Sequence, residues 1–466
     1  LGTTMKLSDE EIKAIDKEYC SWGDTVHYHD EQTIFRNCAG SYMYDSKDTP
    51  YLDLQMWYSS CNLGYKNKRV LNAVLDQYQT MPQISSRFVY DYKALLAEKI
   101  AKANIDRYGI KGRVQFNVGG AQVNEDMLKL IRNYTKKPRM FAFMGGYHGR
   151  TIGTTAVTSS YRYREHFGHI SDTAHFVPFP YCFRCPYDKK CESCNMYCVK
   201  QFAKLFESEY NGVYAPKTKD CEFGGFIAEP LLGTGGYIVP PKGYFKELKK
   251  VLDEYNILFM ADEVQMGCFR TGKLWAMEHF DVKPDAMTFA KSITNGMNPL
   301  AGMWAKEELI NPKVFPAGRT HSTYAANPIG TRAGYEVMSI FEEERKELET
   351  EIARKGKKFL DGLKVLEKKY KNIGTVNGLG FALSVEVTEA DGYTPARELC
   401  DEIIEAGLKG NLSYKGKRCG LILNNGGYYK NIITLVPQLY ISDEEIDMAL
   451  ELMDQLFDIY MEKTAG

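Results

Sequence analysis

Short, mostly apolar runs recur through the middle of this chain, each bounded by glycine or polar residues. They are Arg113-Val114-Gln115-Phe116-Asn117, Met140-Phe141-Ala142-Phe143, His175-Phe176-Val177, Gly225-Phe226-Ile227-Ala228, Ile257 to Ala261, Ala286 to Ala290 and Leu300 to Trp304. Their length and bulk predict buried strands. Helical spacing fills most of the gaps: Val123, Met127, Leu128 and Ile131 fall on one face of a helix that follows the first run. Such alternation predicts a mostly parallel, seven-stranded sheet with helices on both faces and a ligand site outside the carboxyl ends of its strands.

The flanks read differently. Ser8-Asp9-Glu10-Glu11 is a capping box that opens a short helix, and Gly40–Tyr44 with Tyr51–Leu54 forms a peripheral hairpin. An aromatic loop, Trp57-Tyr58-Ser59-Ser60, and a helix from about Lys68 to Gln79 follow. Beyond Asn327-Pro328 one long helical stretch extends to about Lys369, then a smaller α/β unit ends in a helix opened by Ser442-Asp443-Glu444-Glu445. The expected division is 1–65 as the N-terminal part of a small domain, 66–330 as the large domain, and 331–466 as the rest of the small domain.

Composition narrows the class of partner. A net charge of −1 and 44% hydrophobic residues give no polyelectrolyte character, which argues against nucleic acid and toward small-molecule partners. No run is long enough to span a membrane and no signal-peptide pattern opens the chain, so a cytoplasmic protein is expected. Residues 1–4 read as foreign to a natural chain starting near Met5.

Chemistry concentrates at the strand ends. Ile257 to Ala261 breaks into Asp262-Glu263-Val264-Gln265, and the alternation of a strand points Asp262 and Val264 the same way. The next run ends in Lys291. An acid and an amine on two strand ends suit pyridoxal phosphate, with lysine on the aldehyde and aspartate on the ring nitrogen. Gly119-Gly120-Ala121 joins a strand to a helix N-terminus, whose free amides can bind a phosphate. Gly145-Gly146-Tyr147-His148-Gly149 offers a ring for stacking, Glu229-Pro230 ends another strand with a carboxylate, and Ser322-Thr323 supplies hydroxyls.

The order and spacing of these motifs, above all Phe259 to Gly272 (FMADEVQMGCFRTG), resemble the class III aminotransferases, of the fold-type I group of pyridoxal-phosphate enzymes. The resemblance implies that Lys291 links to the cofactor and shuttles a proton, and that Asp262 pairs with the pyridine nitrogen. It implies that Val264 and Tyr147 sandwich the ring beside His148, that Gln265 meets the phenolic oxygen, and that Glu229 lines the substrate side. Gly120 and Ala121 would hold the phosphate, with Thr323 contributed by the second subunit of a homodimer whose active site is completed across the interface. Trp57 and Tyr58 would form an aromatic entrance. The expected activity is transfer of an amino group from a primary amine (an ω-amino acid, a diamine or a related amine) to a keto acid. A racemase, epimerase or aminomutase on the same fold is the alternative.

Two departures stand out. The family's phosphate turn usually reads Ser-Gly-Ser-Glu; here it is Gly119-Gly120-Ala121-Gln122. Members that use 2-oxoglutarate generally pair an acid five positions after the Glu-Pro glutamate with an arginine in a late strand. Thr234 and Thr434 stand at those two places, which predicts a rebuilt substrate pocket.

Twelve cysteines complete the picture. Cys20, Cys38, Cys61, Cys221, Cys268, Cys400 and Cys419 are scattered and expected to be buried. Cys182, Cys185, Cys191 and Cys194, with Cys198 spare, form two short pairs in an insertion at 181–198. That spacing suits a structural zinc or iron–sulfur site, and equally free thiols or a labile disulfide.

Overall fold

All seven runs pair into one sheet in the computed structural model, which describes residues 7–25, 32–167 and 173–464. The expected start at Met5 lies outside the described residues. Across the sheet the strands are Gly112–Asn117, Ala301–Lys306, Ala286–Phe289, Leu258–Asp262, Phe223–Ala228, Arg139–Phe143 and Ala174–Val177. Ala301–Lys306 is antiparallel to both of its neighbours, and the other pairings are parallel. Ala261 lies opposite Ala228 and Asp262 opposite Thr288. The register therefore brings Glu229, Asp262 and Lys291 to one edge.

Successive residues of the central strand enter different cores. Phe259 and Ala261 belong to one apolar cluster and Met260 to another, so each face of the sheet is sealed by its own layer. Gly120–Thr135 covers one face with Val123, Met127, Leu128 and Ile131, the residues its 3.6-residue period selects.

Both capping boxes form, at Ser8 and at Ser442, with reciprocal side-chain and backbone bonds. The long helical stretch is two helices, Pro328–Glu343 and Arg345–Lys369, broken at Glu344. No glycine or proline marks the break. The first half packs on helices Lys68–Thr80 and Asp91–Tyr108 and the second on strand Ile373–Leu379, so tertiary packing sets the change of direction.

The hairpin is less peripheral than its sequence suggests. Tyr42–Asp45 and Pro50–Asp53 belong to a five-stranded sheet in which Leu52 lies opposite Leu421 of Lys417–Ile422. Ile373–Leu379, Ala382–Val387, Ile432–Leu435 and Asn424–Gly426 form a further sheet nearby in sequence. No helix among the described residues is long and apolar enough to cross a membrane.

The cysteines correct two expectations. Cys20 is exposed and Cys38 half-buried, while the other five scattered cysteines are buried. In the insertion, no group of three or more His, Cys, Asp or Glu side chains among the described residues is placed to hold a metal ion. The Cys182 thiol is directed at Cys191 Sγ (2.7 Å) and the Cys194 thiol at the Cys191 carbonyl (3.5 Å). Cys182, Cys185, Cys191 and Cys194 thus do not converge as ligands, and the zinc or iron–sulfur expectation is withdrawn.

Candidate active site

Three donors converge on Asp262 at its strand end. Oδ2 receives Asn124 Nδ2 (2.9 Å) and lies 2.8 Å from His148 Nδ1, while Oδ1 receives the Val264 amide (3.1 Å). Asn124 is itself fixed: its Oδ1 accepts from Thr288 Oγ1 (2.8 Å) and its Nδ2 also donates to the His148 carbonyl (2.8 Å). A buried carboxylate needs such partners, and these come from one helix, one turn and its own strand end.

Lys291 follows the neighbouring strand with φ +50°. Burial lowers the pKa of its ammonium, against the opposing pull of Asp262 and Glu229. Glu229 Oε1 accepts the Tyr147 amide and Oε2 the Gly233 amide, both at 2.9 Å. Its carboxyl is pushed up to about 7, chiefly by burial, with the nearby Asp262 adding and His148 and the two amides opposing. The site therefore holds an acid that titrates near neutral pH and, beside it, an amine whose hold on its proton is weakened by burial.

Helix Gly120–Thr135 points its N-terminus at the same space with no side-chain cap, leaving the amides of Gly120 and Ala121 open to an anion. Gly149, at φ +136°, lets the Tyr147–Gly149 turn pass against that terminus; a Cβ there would lie 2.6 Å from Ala121 Cβ. Lys291, Asp262, Tyr147, Val264 and Trp57 all line one cavity of about 350 Å³.

Pyridoxal phosphate fits these residues. An amine, an acid and a bare helix N-terminus line the same cavity, and a buried His148 Nε2 is left without a partner on its wall. Bound there, the cofactor would supply an aldehyde and an electron-accepting ring.

The family model for class III aminotransferases matches residues 26–457. The chain belongs to the class III aminotransferases. A 4-aminobutyrate aminotransferase of Escherichia coli strain K12 is 31% identical over 91% of this chain and 92% of its own. A leucine/methionine racemase of Thermococcus litoralis is 31% identical over 89% of this chain and 88% of its own. In fold the enzyme resembles a taurine:2-oxoglutarate aminotransferase of Bifidobacterium kashiwanohense, solved with pyridoxal phosphate and glutamate. The TM-score is 0.84 at 22% identity, covering 98% of this chain and 99% of that one.

This class III enzyme places other expected residues away from the cavity wall. Tyr58 does not line it, and Thr323 sits exposed on the loop before Asn327. Gln265 lines the cavity, but its Nε2 donates to Tyr237 Oη (2.8 Å). Thr434 is buried and exchanges hydrogen bonds with Asn424 (3.1 and 3.2 Å); a Cβ on Gly426 would meet both the Thr234 carbonyl (3.1 Å) and the Thr434 methyl (3.2 Å). The buried Tyr237 phenol reaches Thr434 and lies near Tyr58 and Glu229. An aromatic hydroxyl thus stands beside Thr434.

Asn124 and Tyr237 escaped the sequence reading, and Arg270 stood in its most specific motif without a role. Asn124 carried a signal: it lies one turn after Gly120, a polar residue on the apolar face of Val123, Met127 and Leu128.

Proposed function

We propose that this class III enzyme transfers an amino group from a primary amine, such as an ω-amino acid or diamine, to a keto acid. The observation that carries the reading is the pair Lys291 and Asp262, on adjacent strand ends of one cavity, each held in a different way. Asp262, locked by Asn124, His148 and the Val264 amide, presents a fixed carboxylate to a ring nitrogen. Lys291, with its pKa lowered by burial, takes up and returns a proton at Nζ. Tyr147 and Val264 orient the ring between them, and Gly120 and Ala121 hold the phosphate through backbone amides. The naming of the E. coli relative for 4-aminobutyrate supports a donor amine remote from its carboxylate.

Thr234 and Thr434 put neutral side chains at the two positions where the family's acid–arginine pair would hold the second carboxylate of 2-oxoglutarate, and Tyr237 hydrogen-bonds Thr434. Pyruvate is therefore the expected acceptor. We infer a cytoplasmic homodimer in which the partner's loop brings a second Thr323 to the phosphate. A panel of amino donors assayed with pyruvate and with 2-oxoglutarate tests the reading; efficient use of 2-oxoglutarate would refute the acceptor assignment. Lys291→Ala should abolish turnover and the absorbance change on adding amine.

One observation favours a second reading, racemisation: the Thermococcus relative is named as a racemase at the same 31% identity. Deuterium entering the α-carbon from solvent with no keto acid formed would select it.

A further inference from the structure

Arg270 is wholly buried, yet among the described residues no carboxylate lies within ion-pair distance of it. Its donors go to neutral oxygens from separate parts of the chain. Nε donates to Ser59 Oγ (2.9 Å) and Nη2 to Asn62 Oδ1, while Nη1 reaches the carbonyls of Phe381 (3.3 Å) and Pro437 (2.5 Å). A planar guanidinium can serve all four at once, which an ammonium cannot.

What it grips is strained. Met56, Trp57, Tyr58 and Ser59 form a complete left-handed turn, with φ of +45°, +51°, +55° and +66° and no glycine among them. Such backbone persists only where its surroundings over-determine it. Ser59 is the anchor: its Oγ takes the Arg270 bond and lies 3.0 Å from Asn62 Oδ1, and its carbonyl accepts from Ser292 Oγ (2.7 Å). Ser292 adjoins Lys291, itself at positive φ. Within the turn, Trp57 lines the cavity and packs against Gly296 on the loop that follows the lysine.

We propose that Arg270 is a positioning residue for the reacting amine. It holds the left-handed turn that sets Trp57 at the cavity wall and, through Ser59 and Ser292, braces the backbone that presents Lys291. The bonds to Phe381 and Pro437 tie that brace to the C-terminal part of the fold. This role depends on the cofactor lysine and not on which amine is the donor.

The test uses loaded enzyme carrying Arg270→Lys, Ser59→Ala or Ser292→Ala. Three quantities are read: the pH midpoint of the visible absorbance, kcat and KM for one amine donor, and Tm. Arg270→Lys should keep its visible band but move the midpoint by about one pH unit and lower kcat by roughly 10-fold or more. Ser59→Ala and Ser292→Ala should move both quantities the same way by less, with KM changing less than kcat. A lower Tm with midpoint and kcat at wild-type values would overturn the proposal and leave Arg270 a purely structural tie. If Arg270→Lys does not fold, the two serine variants decide on the same criteria. The absorbance midpoint needs no substrate, so a wrong donor assignment cannot mimic failure of the brace.

Discussion

His148 Nδ1 stands 2.8 Å from Asp262 Oδ2, both side chains shut away from solvent. The imidazole and Asn124 share one carboxylate oxygen, so Asp262 has one orientation to offer. Asp262→Asn would remove the charge and leave its NH2 facing at least one of the groups that now donate to the carboxylate. A loss in kcat of about 10²–10³-fold is expected, the scale of deleting a group aimed at developing charge. His148→Ala, which removes one orienting bond, should lose about 10-fold. Steady-state kinetics at saturating cofactor would separate the two, and equal losses would contradict the assigned roles.

Gly149 is needed for its conformation and its emptiness. Gly149→Ala would place a methyl 2.6 Å from Ala121 Cβ, at a φ that L residues rarely adopt. The His148–Gly149 turn must then back away from the helix N-terminus that would receive the phosphate. Cofactor affinity should fall by about 1–3 kcal/mol, measured by titrating the apoenzyme with pyridoxal phosphate.

Glu263 predicts a pH dependence. Its carboxylate accepts the amides of Ala276 (2.9 Å) and Met277 (2.8 Å), yet burial pushes its pKa up to about 8. A folded pKa above the unfolded value means that the native state holds the proton longer. This contribution to stability is therefore fully present below about pH 4.5 and is lost as pH rises through about 8. Glu263→Gln should flatten the slope across that window by up to about 1.4 kcal/mol per pH unit. Any lost acceptor for the two amides adds a constant offset. Thermal unfolding from pH 5 to pH 9 checks it; parallel curves for both proteins would rule it out.

The two threonines invite a double-mutant cycle. Thr434→Arg would bury a guanidinium beside Tyr237 and Asn424, neutral partners both, and should destabilise by about 3 kcal/mol. Adding Thr234→Glu should recover about 0.5–3 kcal/mol of that loss and confer turnover with 2-oxoglutarate that neither single variant shows.

Local pattern was enough to reveal the strands, the helix after Gly119 and the pair Asp262 and Lys291, because each is written in contiguous residues with a clear period. The bracing around them was not. Asn124 meets Asp262, and Arg270 meets Ser59, Phe381 and Pro437, only after distant segments fold together. Nothing in Met56–Ser59 announces a left-handed turn, since its non-glycine residues take that form under tertiary constraint alone. The paired cysteines illustrate the converse: spacing that suits a metal does not make the sulfurs converge.

The reversed strand Ala301–Lys306 has one more consequence. Because it runs against its neighbours, the segment from Lys291 to Leu300 leaves the sheet edge and returns to it, and both of its ends are pinned at the cavity rim. The lysine amine is thereby tethered to the cavity wall through both flanks of its loop, so it would meet whatever the cavity holds as an intramolecular partner, while an amine from solution would first have to diffuse in.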